Sequence, residues 1–200
     1  GWFVGGNFFD SFALNHHGYM NVGYMVITIS NAAMLYFSLK GMGVEPPAAL
    51  WHNMEGLWRL VKTCLFPDGR LCRIGGDTRV RYCYCQDYLL PSLLFVQQLF
   101  GEDADHWEEE WLRTVRREMD YNGDGSFLSD RLTLFRERSL LYYTRLESDR
   151  AVAFAFNAYY RSRLELTSSP AGLVRGPVPP LRQWEDEYHG SCLVRGKRRI

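Results

Sequence analysis

The sequence predicts a mainly helical chain, a portion of an α/α toroid made of helix pairs. Three observations predict it. Aspartate-bearing turns recur at a nearly constant spacing. A long apolar–aromatic segment follows each turn. Apolar segments alternate with amphipathic ones along the chain. The turns are Phe9-Asp10-Ser11-Phe12, Pro67-Asp68-Gly69-Arg70 and Gly123-Asp124-Gly125-Ser126-Phe127, and their aspartates stand 58 and 56 residues apart. Such a period exceeds that of most solenoid repeats. It suits two helices and two connections of ordinary length.

Residues 18–40 are rich in Met, Val, Ile, Ala and Leu and stop at Gly41-Met42-Gly43. An element apolar nearly all round reads as a helix buried on most sides. Pro46 and Pro47 mark a helix start, and Leu50, Met54, Leu57, Leu60, Val61 and Leu65 follow at helical spacing over 47–65. Residues 78–100 predict a second apolar helix, kinked or divided by Pro91. Over 103–119, Trp107, Trp111 and Val115 form one stripe among charges, which predicts an amphipathic outer helix. A long helical segment is expected within 133–162, with a break near Leu146–Asp149. Apolar helices (18–40, 78–100, 139–162) thus alternate with amphipathic ones (47–65, 103–119), as in concentric rings. A plain helical bundle is the rival architecture, and it does not require turns at one period.

Residues 1–167 are therefore expected to be toroid. Beyond them, Ser168-Ser169-Pro170 and Gly176-Pro177-Val178-Pro179-Pro180 signal a linker. Ser191-Cys192-Leu193-Val194-Arg195 has strand character. A lone strand is not stable, so 168–200 reads as a linker with the start of a β-sandwich-like region, or as a strand packed on the helical body. Three turns index about half of a closed ring, and an open half-ring would expose apolar flanks and self-associate.

Composition narrows the functional classes. The 23 basic and 23 acidic residues cancel. Charge balance supplies no reason to expect nucleic acid or an anionic membrane as partner. The apolar stretches are read as too interrupted to span a bilayer. Of the five cysteines, Cys83 and Cys85 lack zinc-ribbon spacing. The set reads as buried thiols, with Cys64–Cys72 as the one pair to consider for a disulfide. No nucleotide loop, Ser-His-Asp order or zincin motif is present. Asp120-Tyr121-Asn122-Gly123-Asp124-Gly125 matches half of a calcium loop, but position twelve is Arg131 in place of a bidentate Glu. No metal or cofactor is expected.

The densest polar–aromatic cluster, Asn15-His16-His17-Gly18-Tyr19, comes just after the first turn. The second turn is followed by Arg73, Gly75-Gly76-Asp77, Arg79, Arg81, Tyr82 and Tyr84, and the third by Ser129-Asp130-Arg131. If the turns share one end, these segments converge on one mouth. Arg or Asn there can neutralise a carboxylate while His or Tyr moves a proton. Together these residue types can handle an acidic sugar, such as a unit of an acidic polysaccharide or oligosaccharide. Asp77 is better placed to hold a turn or to pair with Arg79 or Arg81 than to catalyse.

Asn15-His16-His17-Gly18-Tyr19, Pro67-Asp68-Gly69-Arg70 and Gly75-Gly76-Asp77 resemble the toroid domain of heparinase II/III-like proteins and related alginate lyases. Trp184 with His189-Gly190-Ser191-Cys192-Leu193-Val194-Arg195-Gly196 resembles that family's passage into a β-sandwich. The resemblance implies β-elimination on uronic-acid-containing glycans, without a cofactor. It implies that Asn15 or His16 neutralises the uronate, that His17 is neutraliser or base, and that Tyr82 is the catalytic tyrosine. Arg73, Arg79, Arg81, Tyr19 and Arg131 would bind substrate. Tyr82 and Tyr84 stand about 200° apart on a helix, so one of them faces the mouth. The family analogy implies the periplasm or the exterior, whereas the unpaired cysteines fit a reducing compartment. The alternatives are a non-catalytic glycan-binding or structural toroid and a glycoside hydrolase, the latter requiring a pair of carboxylates.

Overall fold

The computed structural model describes residues 7–16, 18–72, 84–166, 178–188 and 190–196. The described chain is mainly helical, with two small antiparallel two-stranded sheets. In chain order the elements are β1 (Asn15–His16), β2 (Tyr19–Met20), α1 (Val22–Gly41), α2 (Met54–Thr63), α3 (Tyr84–Asp87), α4 (Leu89–Phe100), α5 (Asp105–Asn122), α6 (Thr133–Arg138), α7 (Leu140–Arg163), β3 (Gln183–Asp186) and β4 (Ser191–Val194).

Two helices start where a side chain or a proline dictates. Asn21 caps α1, its Oδ1 accepting from Tyr24 N at 2.8 Å, a contact of about 1 kcal/mol. The segment expected as one helix over 47–65 is instead a 3-10 turn, Ala48–Trp51, followed by α2. Asn53, held at φ 59°, separates the two. The expected division near Pro91 falls at Tyr88, between α3 and α4. Proline has no N–H to give to the carbonyl four residues back, so a continuous helix would leave the Asp87 carbonyl unpaired, and α3 ends at that residue. Within the first turn of α4, Pro91 costs no internal hydrogen bond. The expected break near 146–149 is absent. The chain breaks at Ser139 (φ −153°), between α6 and α7, and α7 runs through to Arg163.

Contacts along the long helices fix their relative directions. Phe37 meets both Phe95 (6.4 Å between ring centroids) and Tyr160 (5.8 Å), while Tyr24 and Ile27 pack with Cys85 and Leu146. Hence α1, α3–α4 and α7 run parallel. α5 runs against them, with Asp105 on Arg161 (3.2 Å) and Glu118 on Arg150 (3.3 Å). All twelve residues of α4 are buried. α1, at 20 residues, is long and apolar enough by length and composition to cross a bilayer, contrary to the sequence reading. Here it packs against α2, α4 and α7 and buries Met25, Val26, Ile29, Ala33 and Phe37. The segment 139–162 was expected to be an apolar inner helix. α7 buries only the stripe Leu146, Arg150, Ala153 and Asn157, leaving Leu141, Val152 and Tyr159 exposed.

The turns repeat in detail, with a corrected register. Around the first, Phe12 N donates to Phe9 O, Phe9 N to Ala13 O and Asn15 N to Asn7 O, and Phe8 bridges Leu14. Around the second, Gly69 N donates to Phe66 O, Phe66 N to Arg70 O and Cys72 N to Cys64 O, and Leu65 bridges Leu71. Every bond is displaced by the same step, which pairs Asp68 with Ser11 rather than with Asp10. Ser11 Oγ accepts from Ala13 N (3.4 Å), Asp68 Oδ1 from Arg70 N (3.2 Å) and Asp124 Oδ1 from Ser126 N (2.9 Å). The next residue takes a left-handed conformation each time: Phe12 (φ 62°), Gly69 (φ 78°) and Gly125 (φ 81°). At the third turn Asn122 Nδ2 reaches Ser126 O (3.1 Å), in the place of the backbone donor Phe66 N. Following helices then hold the turns. Gln86 accepts from Leu71 N and donates to Gly69 O, both at 2.8 Å, and Glu147 accepts from Phe127 N and Leu128 N, both at 2.9 Å.

The C-terminal segment packs on the helical body. β3 pairs with β4, and Val178, Trp184 and Leu193 join the main core. Glu102, buried, accepts from Trp58 Nε1 (2.9 Å), Lys62 Nζ (2.6 Å) and Val178 N (2.7 Å). Arg195 Nη1 donates to the carbonyls of Lys62, Thr63 and Leu65 at the end of α2, where a cation offsets the helix dipole.

Two outcomes follow from this packing. A Cβ at Gly56 of α2 would lie 2.3 Å from the Phe12 ring. Gly56→Ala should therefore cost about 1–3 kcal/mol in urea unfolding, as overpacking does, against the small gain expected of Ala within a helix. Glu102→Ala should cost about 3 kcal/mol or more, because Lys62 is left as a buried charge without its carboxylate. Its signature in hydrogen exchange is early opening of 178–196 relative to α4.

Candidate functional site

The starts of the parallel helices meet at one end, and the post-turn segments meet with them. A second hydrophobic cluster joins Tyr24 and Ile27 of α1, Cys85 and Tyr88 beside α4, Leu128 and Leu132 after the third turn, and Tyr143 and Leu146 of α7. Apolar residues that follow each of the three turns thus share one cluster, while the polar segment after the second turn, 73–83, lies outside the described residues.

Asn15 and His16 form β1, which pairs with β2 so that Asn15 opposes Met20 and His16 opposes Tyr19. Gly18 (φ 81°) closes this hairpin, and its N–H donates to Asn15 Oδ1 at 3.1 Å. That bond engages the amide oxygen, so Nδ2 is the part of Asn15 able to donate to a carboxylate. The His16 ring sits edge-on to Tyr24, with centroids 4.3 Å apart. A depression of about 300 Å³ lies beside them, lined by Asn7, Leu14, Asn15, His16, Tyr24, Ile27 and Thr28. Asn15 is exposed and His16 and Tyr19 are partly so. An imidazole and an amide on one short hairpin can receive a proton and hold an anion.

The other predicted residues are placed less fully. His17, Arg73, Arg79, Arg81, Tyr82 and Asp77 lie outside the described residues. Arg131 belongs to the 3-10 turn Ser129–Leu132, directly before α6. Tyr24 and Thr28 line the depression but were passed over in the sequence because they sit inside an apolar helix. Their spacing of one helical turn beside the polar cluster is the signal that places them on its face. A larger pocket of about 420 Å³ borders the first turn, lined by Phe8, Phe9, Asp10, Phe12, Thr28, His52, Asn53, Met54 and Leu57. It shares Thr28 with the smaller one.

Beneath this end lies an ion-pair network that the sequence does not announce. Arg150 Nε donates to Asp87 Oδ1 at 2.9 Å and its Nη1 to Glu118 at 3.3 Å, all three side chains being buried or nearly so. The guanidinium also lies over the rings of Trp111 and Phe127. Tyr88 Oη donates to Asp149 at 3.2 Å. Asp87 and Glu118 are the carboxylates that a hydrolase reading would recruit, but both are committed to Arg150 inside the protein. Burial pushes the Asp87 carboxyl up to about 6, against the attraction of Arg150, from an ordinary value of 3.8. Its proton is therefore held more tightly in the folded chain. The stability it contributes is full below the ordinary carboxylate range and declines as pH rises through about 6. The stability advantage of the wild type over Asp87→Asn should shrink from about pH 4 to about pH 6.5 in thermal melts.

Among the described residues, no group of three or more His, Cys, Asp or Glu side chains is placed to hold a metal ion. Asp124, in the half-matched calcium loop, is engaged by the Ser126 N–H and hydroxyl and by the Ser129 hydroxyl. Comparison of the chain with protein-family models, with curated proteins and with solved structures finds no match.

Proposed function

We propose that the chain is the helical portion of a polysaccharide lyase-like protein that cleaves uronic-acid-containing glycans by β-elimination, on an α/α toroid scaffold. The observation that carries the reading is the convergence of post-turn segments, with Asn15 and His16 at its rim beside an open depression. Repetition of the turn geometry at Phe12, Gly69 and Gly125 supports hairpins indexed along the chain, as a toroid requires. The run of α5 against α1, α4 and α7 supports it as well.

β-Elimination needs three acts on one sugar. The uronate carboxylate must be neutralised to acidify the C5 proton, a base must take that proton, and an acid must protonate the leaving oxygen. Asn15 Nδ2 or His16 neutralises the carboxylate. His17 or Tyr82 takes the proton, and Tyr82 returns one to the leaving oxygen. Arg73, Arg79, Arg81, Tyr19 and Arg131 hold the acidic chain. No redox cofactor enters this chemistry.

The test is incubation with a panel of uronate-containing polysaccharides, read by the ultraviolet absorbance of the unsaturated product. Activity should fall about 100-fold or more in His16→Ala and in Tyr82→Phe, while both variants keep the wild-type melting midpoint. Reducing ends without that absorbance would replace elimination by hydrolysis. Saturable binding without turnover, undiminished in Tyr82→Phe, would replace it by glycan binding alone.

A further inference from the structure

The second turn carries a pair of thiols that its two relatives lack. Leu65 bridges Leu71, and Cys72 N donates to Cys64 O at 2.7 Å, so Cys64 and Cys72 stand directly opposite across an antiparallel pair. Residues so opposed have Cα atoms about 4.5–5.5 Å apart, and Cys64 reaches this position as the C-cap residue of α2, at φ −85° and ψ 3°. A disulfide requires a Cα separation of about 4.4–6.8 Å, so the backbone already meets its demand. The equivalent pairs are Asn7 and Asn15 at the first turn and, by the same step, Asp120 and Leu128 at the third. Cys64 is fully buried at the end of α2 and Cys72 is half-buried at the core's edge. Both are free thiols.

We propose that Cys64 and Cys72 form a reversible thiol–disulfide site that staples the end of α2 to the strand leading into residues 73–83. The oxidant is a low-molecular-weight disulfide. The Cys72 thiolate, the more accessible, attacks one sulfur of that disulfide and expels the other as a thiolate. Cys64 then loses its proton to the expelled thiolate and attacks the Cys72 sulfur, expelling the second small thiol. Two protein thiols are oxidised to one disulfide and one small disulfide is reduced to two thiols, so atoms and electrons balance. Burial pushes both thiols above the ordinary range, and the guanidinium of Arg195 partly counters this at Cys64. Exchange is therefore slow at neutral pH and accelerates with alkalinity.

The site is independent of the proposed lyase reading, since it needs no substrate. The test uses the full chain and oxidised glutathione. After oxidation, alkylation of remaining thiols and trypsin digestion, peptides 63–70 and 71–73 should appear linked, about 2 Da lighter than their sum, and separate with dithiothreitol. The rate of linkage should rise about tenfold per unit between about pH 7 and pH 8.5. Cys64→Ser should trap glutathione on Cys72, whereas Cys72→Ser should yield neither product. Recovery of both peptides singly alkylated from the oxidised wild-type chain would overturn the proposal, as would linkage of Cys72 to another cysteine. Because the wild-type digest decides by itself, a variant that fails to fold does not blunt the test.

Discussion

A helix with no exposed face sets the terms for everything around it. α4 buries each of its residues, including Ser92, Gln97 and Gln98. Its backbone is satisfied internally, but its polar side chains must be met from outside. Ser92 donates to the carbonyl of Val26 on α1, and Gln97 donates to Asp105 at the head of α5. α1, α5 and α7 therefore have to enclose α4 from different sides, and the short α4–α5 connection turns α5 back against the other three. The parallel set of α1, α4 and α7 stands on this enclosure, and with it the apolar cluster that the starts of α1, α3 and α7 share. The candidate site is in this sense a by-product of covering one apolar helix.

Enclosure also explains the Arg150 network. α7 faces its neighbours with the buried stripe Leu146, Arg150, Ala153 and Asn157, so a guanidinium stands in the middle of an otherwise sealed contact. The guanidinium is tolerated there because Asp87 and Glu118 receive its N–H groups and Trp111 and Phe127 flank its plane. Such a triad contributes little net stability over an apolar substitute. Its value is in register, since Asp87, Glu118 and Arg150 sit on three different helices and only one arrangement satisfies all of them.

Much of the fold was legible, for reasons that also locate the errors. The stripe Trp107, Trp111 and Val115 reads correctly because α5 has one wet face and one dry face. The turns were legible because their acidic acceptors punctuate apolar sequence. Their register was misread by one residue because Ser11 does the work of an aspartate and Phe12 occupies a left-handed position that glycine usually takes. Phe12 accepts that strain of about 1 kcal/mol where its ring lies on Gly56, a residue distant in sequence. The division expected from Pro91 falls at Tyr88 because a proline acts on the carbonyl four residues earlier, and the break at Ser139 was misplaced to 146–149 because a serine is a weak marker. Asn15 and His16 were legible as chemistry. Tyr24 and Thr28 were not, since an apolar helix hides what one of its faces lines.

Three structures share the end of α2. Glu102 binds Trp58 and Lys62 one turn apart and the Val178 N–H, Arg195 caps the last carbonyls, and Cys64 opens the second turn. The C-terminal hairpin and the second turn are thus anchored on the same few residues. Leu181 N reaches Thr63 Oγ1 at 2.9 Å, and Cys72 N reaches Cys64 O one residue further on. A change in the covalent state of the thiol pair would act on the root of the C-terminal hairpin and on the chain entering 73–83 at the same time. The second turn is also held by the Gln86 side chain of α3 and packs its Gly69 against Trp107 and Trp111 of α5. A constraint placed at any of these contacts fixes where the following residues begin, and those residues carry Tyr82 and the three arginines. The first turn has no such cross-link to make, and its Asn15 and His16 are positioned by the short β1–β2 pairing, the Asn15 N–H on Asn7 O and the packing of the His16 ring on Tyr24.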